Sequence, residues 1–106
     1  MAQNNQITRI ARILVDSQQI NAYRELLKIQ METAVKEEPG VISYNVYADK
    51  TNPAKLTIVE VYADNKSYLY HRETVHFRKY KEATKDMVKS LELSEVTPIL
   101  STKKER

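Results

Sequence analysis

The chain contains no cysteine, no tryptophan and a single glycine, and two of these absences each remove classes of function. Without cysteine there is no disulfide, no thiolate nucleophile and no thiolate ligand for zinc or an iron–sulfur cluster. The lone Gly40 excludes the glycine-rich loops that bring backbone amides against nucleotide phosphates. Long apolar runs are missing too, since no stretch approaches the roughly 18 residues that span a bilayer. The opening residues, Met1 to Gln6, are polar and lack the apolar segment of a secretion signal. A cytoplasmic protein without membrane association is expected.

The positive charge is also smaller than it looks. Of 17 basic and 14 acidic residues, three basic and one acidic fall in Ser101 to Arg106, which leaves the remainder at about +1. A terminal tail of this kind is solvated, and no basic stripe follows an element, so nucleic acid is not an expected partner. At 106 residues the chain suits one domain. The boundaries drawn are a disordered segment over 1–6, a folded domain over 7–100 and a basic tail over 101–106.

Periodicity gives the elements in order. Ile7 to Val15 reads as a strand with Ile7, Ala11, Ile13 and Val15 on one face and Ile10 and Leu14 on the other. Asp16, with Gln19 three residues on, has capping-box spacing. Ile20, Tyr23, Leu27, Met31 and Ala34 then recur at helical spacing to about Lys36. Glu38-Pro39-Gly40 reads as a corner, with Gly40 able to take a left-handed exit conformation. Val41 to Ala48 alternates Ile42, Tyr44, Val46 and Ala48 against Val41, Ser43, Asn45 and Tyr47, and Leu56 to Ala63 forms a hairpin with it. Asp64 caps a short helix into His71, and Thr74 a longer one predicted to reach Leu91. Val96 to Leu100, interrupted by Pro98, is the expected final edge strand.

The order β-α-β-β-α-β is the ferredoxin-like split βαβ fold of the α+β class, an antiparallel sheet with helices on one face. The first three strands carry apolar side chains on both faces, and an uncovered sheet face of that size is an aggregation liability. Packing of two chains sheet to sheet, as a homodimer, follows as an expectation.

Chemistry concentrates in His71 to Tyr80, which holds the two histidines, the side chains best suited to proton transfer near neutral pH. On one continuous helix the two rings, five positions apart, would diverge by about 140°. A break at Thr74 would let them share a cavity. A metal site of His71, Glu73 and His76 has unconvincing spacing, and no metal is expected. Glu60 stands alone between Val59 and Val61, so it needs a partner such as Arg9 or Arg12, or else serves to orient a histidine. The seven tyrosines, Tyr44, Tyr47 and Tyr62 among them, read singly as packing residues. Lining one cavity together, they would suit a flat aromatic ligand whose hydroxyl or keto groups need donors.

Glu38-Pro39-Gly40 followed by Ile42-Ser43-Tyr44 and Val46-Tyr47, then Val59-Glu60-Val61-Tyr62, then His71, then His76-Phe77-Arg78, form an ordered set. Taken together over about residues 7 to 100, they resemble the antibiotic biosynthesis monooxygenase domain proteins, small dimeric α/β barrels. The resemblance implies a cavity in each subunit and, for several members, oxygenation of quinols or phenols by molecular oxygen without a cofactor. It implies His76 as base or proton shuttle, His71 assisting and Glu60 orienting. Tyr44, Tyr47, Tyr62, Phe77 and Arg78 would contact the substrate. A haem-degrading branch relies on a tryptophan and a first-strand asparagine that this chain lacks. Two alternatives stay open: an isomerase or epimerase of a small phosphorylated signalling sugar, with Arg78 as anion contact, and a non-catalytic ligand-binding dimer. A dry aromatic cavity, a polar basic one and a filled one would respectively mark the three.

Overall fold

The β-branched run near the start becomes the strand around which the sheet is built. A computed structural model of the protein describes residues 5–105. In it β1 (Ile7–Val15) pairs antiparallel with β3 (Lys55–Tyr62) on one side and β4 (Val88–Val96) on the other. β2 (Val41–Ala48) adds outside β3, giving the order β2-β3-β1-β4. Three helices, α1 (Ile20–Glu37), α2 (Asn65–Glu73) and α3 (Val75–Thr84), complete the ferredoxin-like α+β fold. Of the segment expected to be disordered, residues 1–4 lie outside the described residues, and Asn5 and Gln6 precede β1 without regular structure.

The capping signal at Asp16 is used, though over a tighter first turn than predicted. Its carboxylate accepts from the Gln18 amide at 3.0 Å and from Gln19 Nε2 at 3.0 Å, and Ser17–Gln19 form one 3₁₀ turn before α1 begins. α1 then buries Tyr23, Leu27, Gln30 and Ala34. Tyr23 and Leu27 pack on Ala11, Ile13 and Val15 of β1 and Leu56 and Ile58 of β3, the alternating residues of one sheet face.

Three expectations are corrected. Gly40 does not take a left-handed conformation. It is small because a Cβ there would collide with the Oγ and Cβ of Ser67 in the first turn of α2. The alternation in β2 breaks at its start: the register shifts between Val41 and Ser43, leaving Ile42 as an extra residue. This bulge turns Val41 inward opposite Tyr62, exposes Ile42, and still sets Tyr44 opposite Glu60.

The last helix stops at Thr84, and the final strand is Val88–Val96 instead of Val96–Leu100. Residues 84 to 91 fit both periods, and pairing with β1 from Val15↔Val88 to Thr8↔Val96 decides for the strand. Leu91 and Leu93 lie opposite Ile13 and Ala11, while 97–105 carries no regular structure.

All helices lie over one sheet face. The other presents Ile10, Leu14, Val59 and Val61, half-buried by cross-strand neighbours, with Tyr47 exposed. Among the described residues, no helix is long and apolar enough to cross a membrane.

Candidate active site

Thr74 decides where the two histidines point. Its Oγ1 donates to the His71 carbonyl at 2.8 Å, closing α2, and accepts from the Phe77 amide at 3.3 Å, opening α3. The chain therefore turns between the two residues, and their rings converge to a centroid distance of 6.2 Å. Between them comes Glu38, which leaves the end of α1 in an extended conformation enforced by the following Pro39.

Glu38 is 3% exposed and His71 1%. As a carboxylate Glu38 only accepts, so both rings donate to it. His71 Nδ1 lies 2.9 Å from Oε2 and 3.1 Å from Oε1, and His76 Nε2 lies 2.5 Å from Oε2. These contacts assign the proton of neutral His71 to Nδ1 and leave Nε2 with its lone pair. That nitrogen is buried and has no hydrogen-bond partner among the described residues. An unsatisfied buried nitrogen on a ring held this firmly is an unfilled binding position.

His71 lines a cavity of about 420 Å³ between the helices and the sheet. Tyr44, Tyr62, Tyr68, Phe77 and Tyr80 supply aromatic walls, and Ala11, Ile13, Ile58, Leu91 and Leu93 an apolar floor. Glu60 enters this floor from β3. Its Oε1 accepts from the Tyr62 hydroxyl at 2.7 Å, while Arg9, opposite it in register, pairs with Glu95 at 3.3 Å. Burial pushes the Glu60 carboxyl above its ordinary range, partly offset by the Tyr62 hydrogen bond and by His71, Arg9 and Lys81. Burial, with Glu60 adding, also raises the phenols of Tyr44 and Tyr62 far above the ordinary tyrosine range, and burial with Tyr23 does the same for Tyr80. All three are neutral hydrogen-bonding groups at neutral pH. Tyr44 accepts from Gln30 Nε2 at 2.7 Å, and the Tyr80 hydroxyl meets that of Tyr23.

Of the residues singled out from sequence, His71, Glu60, Tyr44, Tyr62 and Phe77 come together here. His76 sits behind Glu38 and reaches the site through that carboxylate. Tyr47 points to the open sheet face and is 59% exposed. Arg78 is exposed and paired with Glu73 at 2.9 Å, so neither reaches the cavity and the grouping of His71, Glu73 and His76 does not form. The carboxylate that holds the histidines is Glu38, not Glu60. Sequence reasoning read Glu38 only as part of a corner. The available signal was an acidic residue directly before Pro-Gly, where a helix exit and a fixed backbone aim the side chain inward. Gln30, polar on the buried stripe of α1, was a second missed residue.

Glu38, His71 and His76 offer ligand atoms within 4.8 Å of one another, so they are the described residues that could hold a metal ion. Two ring N–H donors already satisfy the carboxylate, so the trio also stands as a hydrogen-bonded network in which His71 Nε2 alone lacks a partner among the described residues.

A sheet with helices on one face, enclosing a cavity with a histidine–carboxylate pair, defines a small α+β domain with a candidate ligand site. The family model for antibiotic biosynthesis monooxygenase matches residues 6–83, and the chain belongs to that family. It is 40% identical to a provisionally assigned antibiotic biosynthesis monooxygenase from Bacteroides thetaiotaomicron, with a TM-score of 0.89 over 96% of this chain and 97% of that one. A provisionally assigned monooxygenase from Lactobacillus acidophilus is 29% identical, with a TM-score of 0.87. That alignment covers 91% of this chain but 46% of that protein, which is about twice as long. A conserved protein from Methanosarcina mazei is 26% identical, with a TM-score of 0.81 over 88% of this chain and 92% of that one. No curated protein matches the chain significantly.

Proposed function

We propose that this protein is a monooxygenase that oxidises a small quinol or phenol with molecular oxygen, with His71 as the base. The carrying observation is the buried His71 Nε2, unpartnered on a ring whose other nitrogen is held by Glu38. A substrate hydroxyl bound there gives its proton to Nε2. Glu38 balances the imidazolium charge that results and keeps the tautomer correct. His76, on the same carboxylate oxygen, holds Glu38 in place and can relay a proton outward, since its side chain is 19% exposed.

Deprotonation makes the aromatic ring electron-rich enough to reduce oxygen. One oxygen atom forms a bond to a ring carbon and the other leaves as water with two protons, while the quinol becomes a hydroxyquinone. The substrate supplies all four electrons, so no further reductant enters the balance. The neutral phenol of Tyr44, which accepts from Gln30 and keeps its own proton free, offers a hydrogen bond to a developing oxyanion, and the apolar floor keeps water from the reacting carbon. The open cavity and unfilled nitrogen speak against a non-catalytic module. A phosphorylated-sugar isomerase is the second reading, favoured by Arg9, Arg72 and Lys81, which line the cavity.

Two copies packed through the uncovered sheet face would complete the molecule as a homodimer, which the half-buried Ile10, Leu14, Val59 and Val61 support.

The test is oxygen uptake with a panel of hydroquinones, corrected for autoxidation. His71→Ala should lower turnover by about 10²–10⁴-fold. Glu38→Gln, which cannot balance an imidazolium, should lower kcat more than it raises KM, with thermal unfolding run alongside because the site is buried. Full turnover by a folded His71→Ala protein would end the assignment of the base.

A further inference from the structure

The interior of the cavity and its mouth differ in chemistry. Inside, the polar groups are His71, Glu60 and neutral phenols. Three cations from three elements also line the cavity, Arg9 of β1, Arg72 of α2 and Lys81 of α3, and the exposed Arg72 and Lys81 mark its mouth. The Tyr68 ring organises two of them, with the Arg9 guanidinium 4.4 Å and that of Arg72 5.8 Å from its centroid. Lys81 Nζ stands 6.0 Å from the centroid of Phe77, itself a cavity wall, and close enough to Glu60 to pull on its carboxyl.

The carboxylates nearby neutralise this set only in part. Glu95 is committed to Arg9, and Glu60 lies deeper, bound by Tyr62. Among the described residues Arg72 and Lys81 have no carboxylate partner. On α3 and at its end, Arg78 pairs with Glu73 at 2.9 Å and Lys85 with Glu82 at 3.0 Å, while Lys79 has no carboxylate partner among the described residues. What sets Arg72 and Lys81 apart from other cations without an ion pair, such as Lys79, is that they line the cavity. A neutral quinol would leave them unpaired. An aromatic acid would engage both ends of the site, its hydroxyl at His71 and its acidic group outward, where a cation fork is strongest.

We propose that the substrate class of this site is an aromatic acid, a phenol or quinol bearing a carboxylate that Arg72 and Lys81 hold at the cavity mouth. This rests on the reading of the site as a phenol-oxidising one.

The test measures binding by calorimetry without oxygen, so that turnover does not intervene. Gentisate, a hydroquinone carboxylate, is compared with neutral gentisamide, using the wild type, Arg72→Gln/Lys81→Gln, and Lys50→Gln as a charge control in the β2–β3 turn. Gentisate should bind at least about tenfold more tightly than gentisamide. That ratio should shrink as salt rises, fall to near unity in the double variant and persist in Lys50→Gln. Thermal unfolding checks that the double variant is folded. Equal binding of the amide, or a ratio unchanged in the double variant, overturns the proposal. So does gentisate failing to bind, or inorganic phosphate or ribose phosphate binding as tightly as gentisate, since then the aromatic part is not recognised. Oxygen uptake in air separates the two readings. His71-dependent uptake with a neutral hydroquinone would retain the oxygenase and discard the acid, whereas tight gentisate binding without uptake by any hydroquinone would retain the anion site and discard the oxygenase.

Discussion

Glu60 carries a cost that its neighbours only partly offset. Burial favours its protonated form, so its folded-state carboxyl holds a proton more tightly than the unfolded chain does. The stability this contributes is fully present below the ordinary carboxylate range and is lost as pH rises through the raised value. Glu60→Gln cannot ionise and can still accept from Tyr62. It should therefore be more stable than the wild type at about pH 8, with the gain vanishing toward about pH 4. Urea midpoints across that range, at one protein concentration, test this. A gain that grows toward acid would mean that ionised Glu60 is net stabilised by Arg9, Lys81 and His71. The contrast with Glu38 is instructive: each is a buried carboxylate, but Glu38 has two ring N–H donors and Glu60 a single hydroxyl.

At the scale of elements, the site depends on how closely two segments approach. The corner at Gly40 and the first turn of α2 touch through Ser67, whose amide is capped by Asp64 at 2.8 Å. That contact seats α2, and α2 carries His71. Gly40→Ala forces the two apart and should cost about 1–3 kcal/mol. Ser67→Gly in the same chain removes the colliding atoms, so the double variant should lose less than the sum of the two single changes. Strict additivity in denaturant unfolding would show that the contact is not what requires glycine. The sequence made the corner visible through Pro39 and Gly40 but assigned the wrong reason to the glycine, because a collision with a residue 27 positions later has no local signature.

For the whole molecule, the one-sided helix layer leaves Ile10 and Leu14 of β1 and Val59 and Val61 of β3 as a shared surface on two adjacent strands, flanked by Tyr47 of β2. In the homodimer reading this face is an interface, and a charge at its centre should break it. The wild type should sediment as a dimer and Val59→Lys as a monomer, whereas a wild-type monomer would remove the sheet-to-sheet arrangement. The cavity lies on the opposite face, beneath the helices, so its walls come from one chain.

Strand and helix order, the buried stripe of α1, the inward face of β1 and the two-helix break at Thr74 were legible in the sequence, because each follows from local periodicity or capping chemistry. The end of α3 was not, since residues 84 to 91 satisfy both helical and strand spacing and only pairing with β1 separates them. The histidines could be picked out as candidates, but not how their rings are held. That was decided by tertiary structure: Glu38 arrives from the far end of α1, binds both rings, and leaves one nitrogen of His71 unpartnered beside the cavity. A hydrogen bond between residues 33 positions apart is set by packing and not by spacing, and so a chain read in order does not reveal it.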